Sequence, residues 1–157
     1  MIIQEGQPAP DFSLYDSEKK LVTLSDQRGK NLLLLFFSLA FTSTCTAELC
    51  SVRDSLKKYE ALNALPVGIS IDSLYTLAQF KAAQHLNFPL LSDFNKEVSQ
   101  MYGSLYENFG FGMKGVTKRS AFLIDREGIV QYAEVLENAA LIPDFDNIHV
   151  KLREISG

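Results

Sequence analysis

Apolar residues recur along this chain in several rhythms, and each change of rhythm marks an element. From Asn31 to Phe37 the run is apolar without alternation, the pattern of a central strand covered on both faces. Before it, Pro8 and Pro10 forbid regular helix, and Phe12–Tyr15 and Leu21–Leu24 predict short strands around the polar turn Asp16–Lys20, an N-terminal β-hairpin. After it, Leu49, Val52, Leu56 and Tyr59 fall at steps of three and four, which predicts an amphipathic helix from Ser43 to Leu62, with Pro66 ending it. Val67–Ile71 is the next buried strand. Leu74, Leu77, Phe80 and Ala83 mark a second helix, and Phe88–Leu91 is an edge strand because it contains Pro89. A helix-like segment, Val98–Leu105, follows. Ala121–Ile124 and Ile129–Tyr132 flank the turn Asp125–Gly128 as a hairpin, and Leu141, Phe145, Ile148, Leu152 and Ile155 predict a closing helix. The expected fold is α/β: a mixed central sheet flanked by helices, wound parallel in its first half and antiparallel in its second.

With 157 residues, 46% hydrophobic and 22% charged, the chain has the profile of one globular domain over residues 1–157. A net charge of −4 argues against nucleic acid or an anionic membrane as partner. The longest apolar stretch, Leu32–Phe41, is broken by Ser38 and is about half the roughly 20 residues of a membrane helix. Two cysteines are too few for a disulfide scaffold, and the opening Met1–Gly6 lacks a basic and apolar leader, so the expected compartment is the cytoplasm. His85 and His149 stand apart from each other and from the cysteines, which assembles no local metal site. A literal G-x-G-x-x-G at Gly110–Gly115 has a helix-like segment before it and a strand after it, the reverse of what a dinucleotide site needs, and reads as a surface loop.

The chemistry-bearing stretch is Ser38–Cys50, at the end of the central strand and the start of the first long helix. Cys45 there meets unpaired backbone N–H groups and the positive end of the helix macrodipole, both of which favour the nucleophilic thiolate. Thr42, three residues earlier, offers a hydroxyl that accepts from an incoming oxygen or donates to the sulfur. The residues alone leave open that Cys45 is a small buried hydrophobe, that Glu48 only stabilises the first turn of a helix, and that Arg119 is a solvated strand-end charge beside Lys118.

The stretch resembles the active-site signature of the peroxiredoxins (AhpC/TSA type), in which a proline, a threonine four residues on and a cysteine three residues after that form one strand-loop-helix turn. Thr42 and Cys45 fit that spacing, and Ser38 stands in the proline's place. The resemblance continues in Gly6–Phe12, in Phe88–Asp93 and in Arg119–Asp125, and is closest to the Q-type, bacterioferritin-comigratory-protein-like branch. It implies a thioredoxin-like fold and reduction of hydroperoxides without metal, haem or flavin. It also implies Cys45 as peroxidatic nucleophile, Thr42 and Arg119 as groups binding the peroxide oxygens, Glu48 as the active-site glutamate and Cys50 as resolving cysteine. A thioredoxin-like dithiol would recycle the enzyme, as a monomer or a homodimer. Two other readings remain: a thiol-disulfide oxidoreductase, which would want C-x-x-C where this chain has C-x-x-x-x-C, and a non-catalytic binding module on the same fold.

Overall fold

The computed structural model describes residues 3–156; Met1, Ile2 and Gly157, which the leader and domain readings include, lie outside it. A two-stranded antiparallel hairpin, β1 (Ser13–Tyr15) and β2 (Leu21–Thr23), comes first, as expected. The main sheet contains β3 (Asn31–Phe36), β4 (Ala64–Ser70), β5 (Leu90–Ser92), β6 (Ser120–Ile124) and β7 (Val130–Val135) in the order β5-β4-β3-β6-β7. β3 and β4 are parallel, as are β4 and β5, while β6 and β7 join antiparallel on the other side of β3. The change of direction falls at β3, the strand whose unbroken apolar run makes it buried along its whole length. Its side chains alternate: Leu33, Leu35 and Phe37 pack in one core with Cys45 and Leu49, and Leu32, Leu34 and Phe36 pack in the other under the N-terminal segment.

The helices are α1 (Ser43–Asp54), α2 (Leu56–Ala61), α3 (Leu74–Gln84), α4 (Glu97–Met101) and α5 (Phe145–Ser156). The single helix expected from Ser43 to Leu62 is therefore two, broken at Ser55, whose N–H bonds the Val52 carbonyl at 3.1 Å, one residue nearer than an α-helix allows. Leu49, Val52 and Tyr59 are buried as the spacing requires, and Leu56, just past the break, only partly so. Pro66 does not end the helix; it lies inside β4, opposite Leu33. The next residue of the same strand parity, Gly68, donates to the Pro89 carbonyl toward β5, and pairing with β5 begins only there. The N–H that Pro66 lacks would therefore face an edge with no strand beside it, so the ladder loses nothing. The chain instead leaves α2 through Asn63, at a left-handed φ of 53°.

α3 starts where the Ser73 side chain accepts from the Thr76 N–H, and α4 where the buried Asp93 carboxylate accepts from Val98 and Ser99 at 3.1 and 2.6 Å. The closing helix starts later than expected. Asp144 accepts from the Asn147 N–H at 3.2 Å and so caps α5, which leaves Leu141 outside it and 54% exposed. Gly110–Gly112 form a short 3-10 turn with no strand leading into it, out of context for a dinucleotide site. Among the described residues no helix is long and apolar enough to cross a membrane.

These positions give opposite expectations for two leucines. Leu35→Ala, at a fully buried position of β3, should cost about 2–5 kcal/mol, whereas Leu141→Ala should change stability by less than about 0.5 kcal/mol. Urea unfolding of both variants checks this, and a comparable loss at Leu141 would contradict its placement outside α5.

Candidate active site

β3 ends at Phe36, opposite Ser120 of β6, so the loop running on to Cys45 and the residue preceding β6, Arg119, meet at one end of the sheet. In that loop Phe37 still donates to the Ile69 carbonyl at 2.9 Å, and Ala40 donates to the Asp72 carboxylate at 2.8 Å. Phe41 takes a left-handed φ of 69°, and Thr42 is the extended residue from which α1 departs. Cys45 is the third residue of α1, in its first turn as expected. It is wholly buried.

One side chain gathers the site. Arg119, only 1% exposed, donates through Nη1 to Glu48 Oε1 at 2.7 Å and through Nη2 to Cys45 Sγ at 3.2 Å. Nη2 also donates to the Ala139 carbonyl at 2.9 Å. The guanidinium is thus a bridge between a carboxylate and a sulfur, which excludes the solvated-charge reading of Arg119. Glu48 falls in the second turn of α1 rather than the first, is wholly buried and faces Arg119, so stabilisation of the helix start does not account for it.

Burial pushes the Glu48 carboxyl up to about 7, against the opposing pull of the Arg119 charge and its hydrogen bond. Burial works against the Arg119 charge as well, but Glu48 and the Cys45 sulfur more than offset it and hold the guanidinium firmly protonated. A buried ion pair of this kind contributes little net stability over an apolar packing. Among the described residues, Glu48 Oε2 and Arg119 Nε find no hydrogen-bond partner although buried, and neither does the hydroxyl of Ser38, which is 3% exposed. Polarity retained at such cost belongs to a reactive site more readily than to a core.

Thr42 stands exposed, with its hydroxyl donating to the Leu39 carbonyl at 2.7 Å rather than to sulfur. What it has left is acceptor capacity. Cys50 lies in the same helix, partly buried, with its thiol donating to Gln84 Oε1 of α3 at 3.6 Å. Five helical residues separate the two Cα atoms by about 8.6 Å, beyond the roughly 7 Å a disulfide spans. Both cysteines are free.

Three contributors escaped the sequence reading: the Ala139 carbonyl on Arg119, Asp72 on the loop and Gln84 on Cys50. A main-chain acceptor has no sequence signal. Asp72 had a weak one, since polar residues just past the carboxyl end of a parallel strand commonly serve sites.

A sheet of this order carrying an arginine-held thiol in the first turn of the following helix defines the thioredoxin-like peroxiredoxin class. The AhpC/TSA family model matches residues 5–133, and the chain belongs to that family. Alkyl hydroperoxide reductase E of Mycobacterium tuberculosis is 40% identical over 137 residues, covering 85% of this chain and 86% of that protein. The crystal structure of peroxidoxin BcpB from Mycobacterium tuberculosis superposes with a TM-score of 0.85 at 29% identity, covering 98% of both chains. A mutant PrxQ from Xylella fastidiosa shares the fold with a TM-score of 0.88 at 24% identity, over 100% of this chain and 99% of that one. These relatives accord with the Q-type branch, and the chain is a thiol-dependent peroxidase.

The raised Glu48 carboxyl has a measurable consequence. With its folded value at about 7 against an ordinary 4.5, the folded protein keeps a proton that the unfolded chain has already released between those values. Glu48's contribution to stability is therefore present below about 4.5 and lost as pH rises through about 7. Urea unfolding across that range should show a fall in wild type that Glu48→Gln flattens. An unchanged fall in the variant would contradict the assignment.

Proposed function

We propose that Cys45 is the peroxidatic nucleophile of a cofactor-independent hydroperoxide reductase, and that Cys50 resolves it within the same chain. The observation that carries this reading is the buried Arg119 guanidinium donating to Cys45 Sγ at 3.2 Å. An inert core thiol has no use for a desolvated cation, whereas a thiolate is the better acceptor of that bond.

The Cys45 thiolate attacks one peroxide oxygen. An S–O bond forms, the O–O bond breaks, and the alkoxide or hydroxide leaves and takes a proton, so sulfur is oxidised by two electrons to sulfenic acid and the peroxide is reduced to alcohol or water. Arg119 stabilises the charge as it moves from sulfur to the departing oxygen, preorganised by Glu48 and the Ala139 carbonyl. The Thr42 oxygen, its proton committed to Leu39, accepts from the peroxide O–H. Cys50 thiolate then attacks the Cys45 sulfur. The S–S bond forms, the S–O bond breaks, and hydroxide leaves as water once protonated. Because the intact helix holds the two cysteines too far apart, the first turns of α1 must unwind before that bond closes.

A dithiol protein of the thioredoxin type fits as reductant, since one dithiol returns both cysteines to thiols. The cytoplasm fits as compartment, because its reducing poise keeps such a pair ready.

The test is one equivalent of hydrogen peroxide on reduced protein, followed by mass-spectrometric mapping. Wild type should give a Cys45–Cys50 disulfide within one chain, Cys50→Ser should stop at Cys45 sulfenic acid, and Cys45→Ser should lose turnover. Hydrogen exchange across residues 42–57 should rise on oxidation. Retained turnover in Cys45→Ser would overturn the nucleophile, and unchanged exchange with no intramolecular link would overturn the resolving role.

A further inference from the structure

The loop between β3 and α1 carries the site's geometry but has little intrinsic reason to hold its shape. It makes no regular ladder beyond Phe37, it contains Phe41 at a φ of 69°, and the Thr42 side chain leaves the N-terminus of α1 uncapped. Among the described residues, one charged side chain from outside the loop bonds to it. Asp72, just beyond β4, accepts through Oδ2 from the Ala40 N–H at 2.8 Å and from the Ser70 hydroxyl at 2.7 Å. Asp72 is itself fixed: its N–H donates to Ser70 Oγ at 3.2 Å, and its carbonyl accepts from the Ser92 hydroxyl at 2.6 Å, which ties it to the ends of both β4 and β5.

From Ala40 the hydrogen bonds continue without a gap. The Leu39 carbonyl accepts from the Thr42 hydroxyl at 2.7 Å, and the Thr42 carbonyl accepts from the Thr46 N–H at 2.9 Å and the Thr46 hydroxyl at 2.8 Å. Cys45 lies inside the turn that these bonds close. The path therefore runs from the rigid sheet, through Asp72, to the residues that must be folded for attack and unfolded for disulfide formation.

We propose that Asp72 is a positioning residue that holds the Ser38–Thr42 loop, and with it the first turn of α1, in the conformation that attacks peroxide. The inference rests on the reading of Cys45 as nucleophile and Cys50 as resolving thiol. It makes a prediction that a generally stabilising residue would not: the two half-reactions respond in opposite directions. Without the anchor, Cys45 and Arg119 spend less time in register and oxidation slows, while α1 opens more easily and the disulfide closes faster.

Rapid-quench alkylation with mass spectrometry reads both steps in a single turnover. Asp72→Ala should slow Cys45 oxidation by roughly ten-fold, the scale set by losing one hydrogen bond to a charged acceptor, and should speed disulfide formation. Asp72→Asn removes the charge but keeps an oxygen for the Ala40 N–H, so both rates should return to within about three-fold of wild type. That rescue separates positioning from any effect of the carboxylate's charge on the sulfur.

If Asp72→Ala lacks the wild-type circular dichroism, Ser70→Ala, which frees the carboxylate from its second donor, should shift the two rates in the same opposed directions by a smaller factor. Two rates that move together, or neither moving, would overturn the proposal, as would an asparagine variant as impaired as alanine. If wild type forms no Cys45–Cys50 disulfide, the resolving assignment fails, and the oxidation step alone still decides whether Asp72 positions the loop.

Discussion

A guanidinium shut away from water between a carboxylate and a sulfur is the contact on which this site depends. Arg119 cannot shed its proton, so in its buried position its N–H donors must be answered by acceptors, and Glu48 Oε1, the Cys45 sulfur and the Ala139 carbonyl are what the fold offers it. Each partner is held by secondary structure. Cys45 and Glu48 lie three residues apart on α1 and so on one helix face, and Arg119 leads into β6, whose antiparallel pairing with β3 brings it to the end of the sheet where α1 begins. A shift in that strand register would move Arg119 away from the thiol, which makes the central β3–β6 ladder as much a part of the chemistry as the side chains.

The same constraint explains why the resting protein keeps its thiol covered. Water at the site would compete for the Arg119 donors and screen the field they exert on sulfur, and burial removes that competition. The cost is that Cys45 and Cys50 are fixed on one helix at a separation no disulfide spans. With Cys45 attacking and Cys50 resolving, as proposed, the two steps would require different local structures of one segment, and the loop bonds around Ala40 and Thr42 hold the first of them.

Much of this was legible in the chain itself. The uninterrupted apolar run of β3 and the hairpin at Asp125–Gly128 follow from local residue chemistry and lie where the pattern puts them, whereas the edge strand expected over Phe88–Leu91 runs Leu90–Ser92, with Pro89 just before it rather than inside it. Pro66 and Leu141 misled because their setting is tertiary: a proline is harmless in a strand whose neighbour starts later, and an apolar residue in helical phase stays outside once Asp144 caps the helix behind it. At the site, Cys45 and Thr42 are legible as a motif, but the contacts that give them meaning span 74 positions between Arg119 and Cys45 and 71 between Arg119 and Glu48. Whether Glu48 stabilises the first turn of a helix or answers a buried cation is not written in its neighbours, and the supports from Ala139 and Asp72 act on or through main-chain groups that no residue type announces.

The most direct measurement is the second-order rate of Cys45 oxidation by hydrogen peroxide in Arg119→Lys, with folding confirmed by circular dichroism. Lysine keeps the positive charge but has no planar fork to serve Glu48 and the sulfur together, so the rate should fall by about ten-fold or more. A wild-type rate in the lysine variant would show that the fork does no chemical work, and would contradict the account at its centre.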